Sequence, residues 1–112
     1  MPRVFLTCGD LVFCEKLRVS FTAQSEFDVC GEARNGVEAI KEAMRLRPDI
    51  IIIEMQLSPL DDLDVAEAIK LIMLEVPLFL VIGKSDVLSE KEALSRGVDA
   101  VFEKDEASPL CC

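Results

Sequence analysis

The chain of 112 residues has room for one domain with a single hydrophobic core, and 51% of its residues are hydrophobic. Its apolar runs all fall short of the roughly 18 residues that cross a bilayer, and Asp10 comes too early for a signal peptide. The net charge of −9 opposes the phosphate backbone of nucleic acids. The composition therefore predicts a cytoplasmic protein that has a protein partner and binds neither nucleic acid nor membrane.

Short β-type runs alternate with helical patterns, which predicts βα units and a parallel sheet with helices on both faces. The predicted strands are Arg3 to Thr7, Phe27 to Ala33, Ile50 to Ile53, Leu78 to Ile82 and Ala100 to Glu103. The helices between them are Leu11 to Phe21, about Gly36 to Leu46, about Leu63 to Glu75 and about Val87 to Arg96. The result is one α/β domain over residues 1–112.

Two details of these elements predict how the core is built. Four consecutive isoleucines cannot alternate between core and water, so the third strand should be central and covered on both faces. The second helix is expected to turn Val37, Ile40 and Met44 toward the core. Ser108 and Pro109 resemble the start of a fifth helix, so the last helix is expected to be truncated.

The candidate functional residues stand where the predicted strands end, because ligands of open parallel sheets bind at the carboxyl ends of the strands. These residues are Cys8, Gly9 and Asp10, then Glu54, then Ile82, Gly83 and Lys84, and finally Lys104. They would form either a small anionic pocket or only the solvated polar end of the sheet. The sequence has no complete phosphate-binding loop and no dinucleotide motif, so no cofactor is predicted.

Five cysteines occur without CxxC spacing, and the chain has no histidine, which argues against zinc. Reduced, buried thiols are the expectation for a cytoplasmic protein. Cys8 lies among charged residues that have opposite effects on its thiolate, and it has no obvious resolving partner, so it is expected to be inert.

Several motifs together resemble one known family. They are GEARNGVEAI (Gly31 to Ile40), LRPDIIIIE (Leu46 to Glu54), the proline before the fourth strand, RGVDAVFEK (Arg96 to Lys104) and KDEASP (Lys104 to Pro109). In this order and spacing the chain resembles the CheY-like receiver domain of two-component response regulators, in particular the LuxR/NarL type. The resemblance implies a doubly wound, flavodoxin-like sheet of five parallel strands in the order 2-1-3-4-5.

The resemblance also implies a phosphorylation site, from which this chain departs at most positions. In the family an aspartate after the third strand accepts a phosphoryl group beside Mg²⁺, which two acidic residues after the first strand hold. This chain has Glu54 at the phosphoacceptor position and Cys8 and Gly9 at the acidic pair, with Asp10 adjacent. Ile82 replaces the family's hydroxyl residue, Val101 replaces its switch aromatic, and only the phosphate-contacting lysine is kept, as Lys104.

These departures predict that the chemistry is lost. Glu54 is one methylene longer than aspartate, and a misplacement of roughly an ångström can cost about 10²-fold in rate. Asp10 and Glu54 would form at most a weak Mg²⁺ site, because Mg²⁺ needs close octahedral coordination by oxygen. We expect no catalytic residue and no tightly bound metal. Glu54 would bring a permanent negative charge close to the place of the phosphoryl group, where it could pair with Lys104 and mimic the phosphorylated state. Loss of switching is favoured over such activation, because Ile82 and Val101 lack the hydroxyl and the aromatic ring of the family switch.

The sequence thus predicts a non-enzymatic, degenerate receiver that acts through its surface. Its partner would be a histidine kinase, an output domain or another receiver, and a homodimer is compatible with the family. One alternative is a phosphate-accepting receiver of a transcriptional regulator whose DNA-binding domain is not in this chain. A second is a thiol-based sensor that uses Cys8.

Overall fold

The structure, a computed structural model, describes residues 2–24, 26–54, 59–82 and 87–103, with side chains except those of residues 59–62, 87–90 and 103. The strands are β1 (Arg3–Thr7), β2 (Asp28–Ala33), β3 (Ile50–Glu54), β4 (Leu78–Ile82) and β5 (Ala100–Glu103). The helices are α1 (Leu11–Ala23), α2 (Gly36–Leu46), α3 (Pro59–Ile72) and α4 (Val87–Ser95). All neighbouring strands are parallel, and their order is β2-β1-β3-β4-β5, which confirms the predicted fold class.

The isoleucine strand lies at the centre of this sheet and is buried on both faces, as predicted. Ile52 packs into a core layer with β1 and α1, whereas Ile51 and Ile53 pack into the opposite layer with α2, α3 and α4. The three side chains are at most 2% exposed. A strand with no solvent-facing side needs an apolar residue at every position, which explains the run.

The second helix packs on a different stripe from the predicted one. Ala39 and Ala43 are fully buried, whereas Val37 is 71% and Met44 is 51% exposed, and Ile40 is half-buried. The prediction was wrong for Val37 and Met44 because it gave weight to large apolar side chains. Small residues face the sheet instead, and they let the helix axis approach it closely.

Some boundaries differ from the prediction by one to four residues. Helix α3 begins at Pro59, four residues before the predicted start, and proline is well suited to a first helical position. Helix α4 is followed by Gly97 at φ +102°, a left-handed conformation that ends helices and favours glycine. None of the described helices has the length and apolar character of a transmembrane span. Ser108 and Pro109, and with them the predicted fifth helix, lie outside the described residues.

A charged network holds the amino-terminal end of β4. The Asp99 carboxylate accepts hydrogen bonds from the Leu78 amide at 2.8 Å and from Lys70 Nζ at 3.0 Å. Lys70 Nζ also donates to the carbonyl oxygens of Leu74 and Val76, at 3.1 and 3.0 Å. Burial raises the pKa of Asp99, but the bonds from the Leu78 amide and Lys70 outweigh it and leave the pKa below its usual value.

The Asp99 network should make folding stability depend on acid pH. A carboxyl group whose pKa is lowered by folding stabilises the protein above the pKa of the unfolded chain, and this contribution is lost as pH falls through the folded pKa. Urea unfolding at a series of pH values should show this loss. Asp99→Asn keeps an oxygen for the Leu78 amide but does not titrate, so the acid-induced loss should be smaller in it. If the stability of the wild type and of Asp99→Asn depended on pH in the same way, Asp99 would not be the source of the acid-induced loss.

Helices α2 and α3 pack closely at Gly36, where a Cβ atom would overlap Cγ2 of Val65. We therefore expect Gly36→Ala to lower the free energy of unfolding by about 1 to 3 kcal/mol, the usual cost of overpacking. In a Val65→Ala background the same substitution should cost less, because the overlapping atom is gone. Val37→Ala, next in the chain but exposed, is the matched control and should change stability by less than about 0.5 kcal/mol.

Candidate functional site

The candidate residues meet at the carboxyl edge of the sheet because β1 and β3 are neighbours. Thr7 of β1 lies directly opposite Ile53 of β3 in the parallel register. The residues that follow, Cys8 to Asp10 on one side and Glu54 on the other, are therefore level with each other. Glu54 is only 2% exposed, so a carboxylate at this position must find partners within the protein.

Those partners include two backbone amides of the segment between β1 and α1. Glu54 Oε1 accepts hydrogen bonds from the Gly9 amide at 3.1 Å and from the Asp10 amide at 2.9 Å. Both amides lie just before the first turn of α1, where the helix dipole also favours negative charge. The longer side chain of glutamate thus spans the distance from the end of β3 to the segment after β1.

Asp10 uses its carboxylate to begin helix α1. Its Oδ1 accepts hydrogen bonds from the amides of Val12 at 3.1 Å and Phe13 at 3.2 Å, which makes Asp10 the N-cap residue. From the sequence, this carboxylate was a candidate ligand of a weak metal site. Its observed geometry serves the helix instead.

The donor set does not fit the Mg²⁺ ion that the family resemblance implies. Gly9 has no side chain, and the sulfur of Cys8 is bonded to Cys14. One oxygen of Asp10 and one of Glu54 already accept backbone hydrogen bonds. Among the described residues, no group of three or more cysteine or acidic side chains is placed to hold a metal. Mg²⁺ keeps several waters and is usually held by one or two carboxylates, and the two carboxylates of this set, Asp10 and Glu54, each bind backbone amides instead.

The Cys8–Cys14 pair corrects the expectation that Cys8 lacks a partner cysteine. The two residues form a disulfide with their Cα atoms 5.7 Å apart, a usual separation for such a bond. Cys14 lies on the buried stripe of α1 with Leu17 and Phe21, and this stripe faces β1. Five other residues separate the two cysteines, so no CxxC pattern marks the pair, although the helical spacing of Cys14, Leu17 and Phe21 places Cys14 on the stripe that faces the sheet. Cys30 is a free thiol, and burial raises its pKa.

Ile82 and Val101 occupy their positions as parts of the core. Ile82 is 3% exposed, and Val101 packs half-buried against the same core layer. Phe102 is one residue too late to replace an aromatic at position 101, because successive residues of a strand face opposite sides of the sheet. Its ring packs edge to face on Phe79, with centroids 5.9 Å apart.

Gly83, Lys84 and Lys104 lie outside the described residues, so the pairing of Glu54 with Lys104 stays a prediction. Sequence reasoning missed the partners that the structure gives Glu54, the amides of Gly9 and Asp10. The sequence nonetheless indicated them. An aspartate soon after a strand is typical of a helix N-cap, and the backbone amides at a helix start have no partners within the helix.

A comparison with protein families matches residues 9–110 to the response regulator receiver domain. Among curated proteins, a protein-glutamate methylesterase/protein-glutamine glutaminase of Myxococcus xanthus is 38% identical over 108 residues, which are 92% of this chain and 30% of that protein. The response regulator protein VraR of Staphylococcus saprophyticus is 33% identical over 86 residues, which are 74% of this chain and 40% of VraR. The chain thus spans less than half the length of either relative.

Solved structures show the same fold. The receiver domain of the response regulator NarL from Mycobacterium tuberculosis superimposes with a TM-score of 0.83 at 22% identity, covering 93% of this chain and 84% of that one. The response regulator domain of CheB from Thermotoga maritima gives a TM-score of 0.82 at 18% identity, covering 98% and 90%. The sheet order and the βα alternation described above are those of these domains.

The bonds from Gly9 and Asp10 to Glu54 should contribute measurably to stability. Replacing Glu54 by methionine keeps its length but removes the acceptor, and we expect a loss of about 1.5 to 3 kcal/mol in the free energy of unfolding, the usual worth of a charge-assisted hydrogen bond. Glu54→Gln keeps an oxygen that both amides can reach and should lose less. Urea unfolding measures both variants, and a methionine variant as stable as the wild type would refute the assigned role of these bonds.

Proposed function

The chain belongs to the response regulator receiver domain family, and we propose that within two-component signalling it is a degenerate receiver that works without phosphorylation. In this proposal residues 1–112 form a single receiver-like domain in the cytoplasm. The domain has no enzymatic activity of its own and needs neither Mg²⁺ nor another cofactor. It acts by presenting a surface to a protein partner.

One observation carries the proposal: the Glu54 carboxylate is itself bound by the segment after β1. In the family this segment supplies acidic metal ligands, and the carboxylate after the third strand is the nucleophile. Here Glu54 Oε1 accepts two backbone hydrogen bonds, so its electron pairs are directed at amides. Phosphoryl transfer depends on positioning and on cationic charge beside the transferring group. The side chains of Cys8 and Asp10 supply neither, and Gly9 has no side chain.

The neighbouring positions support a site that does not switch. Ile82 has no hydroxyl that could contact a phosphoryl group, and it is buried as part of the core. Val101 has no ring to reorient, and the ring of Phe102 is packed on Phe79. The hydrogen bonds to Glu54 form in the unphosphorylated chain. This supports a segment after β1 whose conformation does not depend on phosphorylation.

The partner class follows from the family and from the charge of the chain. We propose a histidine kinase, an output domain or another receiver, a second copy of this chain included. A net charge of −9 favours a partner with a basic surface. The same charge argues against direct binding to nucleic acid.

A receiver that accepts phosphate is the second candidate function, and the sequence comparisons favour it. Relatives 33% and 38% identical include a response regulator protein and a methylesterase, both much longer than this chain. In that case the domain would regulate an output domain outside this chain, such as a transcription factor. Glu54 would then have to leave its amide partners and bind the phosphoryl group.

Incubation with Mg²⁺ and a small phosphodonor such as acetyl phosphate separates the two candidates. We expect no phosphate-sized mass increase in the intact protein, because Glu54 is engaged and the metal ligands are missing. Glu54→Asp is the matched variant and should also remain unmodified, since the acid-free Cys8 and Gly9 would still not hold Mg²⁺.

A phosphate-sized gain in the wild type that disappears in Glu54→Ala would overturn the proposal and establish the second candidate. A receiver relative that keeps the aspartate serves as the positive control for the phosphodonor. A gain in Glu54→Asp alone would mean that residue 54 is the sole defect and that the segment after β1 still supports metal binding.

A further inference from the structure

The disulfide between Cys8 and Cys14 encloses the segment that binds Glu54. Cys8 directly follows β1 and Cys14 lies on the buried side of α1. Between them lie Gly9 and Asp10, whose amides bind Glu54 Oε1. One covalent bond therefore closes a short ring around the groups that fix the carboxylate.

The same site can also accommodate the reduced pair. Cys14 Sγ lies 3.5 Å from Glu32 Oε1, a distance at which a thiol can donate to the carboxylate. Arg18 Nε holds the other oxygen of Glu32 at 3.2 Å, which fixes the carboxylate in place. A buried thiol at Cys14 would thus have an acceptor, so reduction leaves no buried donor unsatisfied at this residue.

We propose that Cys8 and Cys14 are a reversible redox site, oxidised to the disulfide by a hydroperoxide and reduced by a dithiol, and that its state controls the segment that binds Glu54. In the cytoplasm proposed above, where thiols are kept reduced, a disulfide of this kind is transient or regulatory. The effect on Glu54 rests on the function proposed above. The redox chemistry does not.

The oxidation proceeds in two balanced steps. The Cys8 thiolate attacks the outer oxygen of the hydroperoxide, the O–O bond breaks, and the alcohol or water leaves with a proton, which gives a sulfenic acid on Cys8. The Cys14 thiol then gives its proton to Glu32, and its sulfur attacks the Cys8 sulfur. The S–O bond breaks, and the departing hydroxide takes up a proton to leave as water. Two thiols lose two electrons to one hydroperoxide, and an external dithiol returns them by disulfide exchange.

Access to the sulfur atoms depends on the segment above them. Cys8 is 1% and Cys14 is 4% exposed, whereas Gly9, Leu11 and Val12 are exposed. The sulfur atoms are therefore buried while the segment between them is exposed, and a small hydroperoxide or a dithiol would reach them only when this segment opens. Because Glu54 holds the segment through two amides, loosening Glu54 should speed the reaction.

Closing the ring should also stabilise the protein. The two cysteines are six residues apart in sequence, so the loop is short. For a loop of this length the chain-entropy model predicts an effect on the order of 50-fold in the unfolding equilibrium constant. The amides of Gly9 and Asp10 should exchange with solvent faster when the pair is reduced, because their segment is no longer closed.

Counting free thiols tests the redox site directly. The fully reduced 112-residue chain is treated with hydrogen peroxide, denatured and labelled with N-ethylmaleimide, and its intact mass is measured. Five cysteines can take label, and we expect two fewer labels after oxidation, with peptide mapping placing the bond between Cys8 and Cys14. Buffers of graded glutathione composition should then move the pair between both states.

Cys30→Ser is the matched control, because Cys30 is a free, half-buried thiol outside the ring, and it should still lose two labels. Cys14→Ser should form no bond at this pair, and dimedone should trap its sulfenic acid on Cys8. A bond that stays closed in the most reducing glutathione buffer would overturn the proposal in favour of a structural disulfide. Failure of the wild type to close the bond would overturn it as well.

The coupling to Glu54 is read from wild-type protein in both redox states and from Glu54→Met. Hydrogen exchange at the amides of residues 9 and 10 should speed up on reduction, and the methionine variant should oxidise several-fold faster than Glu54→Gln. Unchanged exchange and equal rates would refute the coupling. A phosphate-sized mass gain would refute the proposed function alone, since it leaves the number of labels untouched.

Discussion

The parallel pairing of β1 with β3 is the constraint on which the rest of this site depends. Both strands are buried, and the register that sets Thr7 opposite Ile53 fixes which residues emerge together at the carboxyl edge. A shift of one residue would turn each side chain of the strand to the other face of the sheet and would carry Glu54 away from the segment after β1. Glu54 therefore meets the amides of Gly9 and Asp10 because of this register.

This arrangement explains how a carboxylate can be buried at a site without the family's metal ligands. An ionised group with 2% exposure is unfavourable unless hydrogen bonds replace its water. The amides of Gly9 and Asp10, just before α1, supply such bonds, because backbone amides at a helix start have no partner within the helix. The segment that would hold a cation in a phosphorylatable relative thus binds an anion by its backbone here.

The fold was predictable to a greater degree than the site, for physical reasons. Buried parallel strands and βα alternation leave a strong pattern, and β1, α2, β4 and β5 have their predicted bounds. The error on Val37 and Met44 arose because an apolar stripe does not show which side chains face the sheet. A helix can pack on the sheet through large side chains, or through small ones that let its axis come closer. The ends of the predicted strands identify positions 8, 9 and 54 as site residues. The hydrogen bonds to Glu54 could not be predicted in this way, because their donors are backbone amides, which every residue type except proline has. The Cys8–Cys14 disulfide joins the end of β1 to the buried side of α1. It can be recognised only when it is known which side of α1 faces the sheet.

The two features that the sequence did not reveal act on the same five-residue segment from opposite sides. Glu54 binds its backbone from β3, and the disulfide closes it between β1 and α1. One hold is non-covalent and the other is covalent and responds to redox chemistry, and because both act on one segment, a change in either should affect the other. Family members alter this edge of the sheet by adding a phosphoryl group. In this chain the Cys8–Cys14 pair lies at the same edge, so the making and breaking of its S–S bond would act on the segment that binds Glu54.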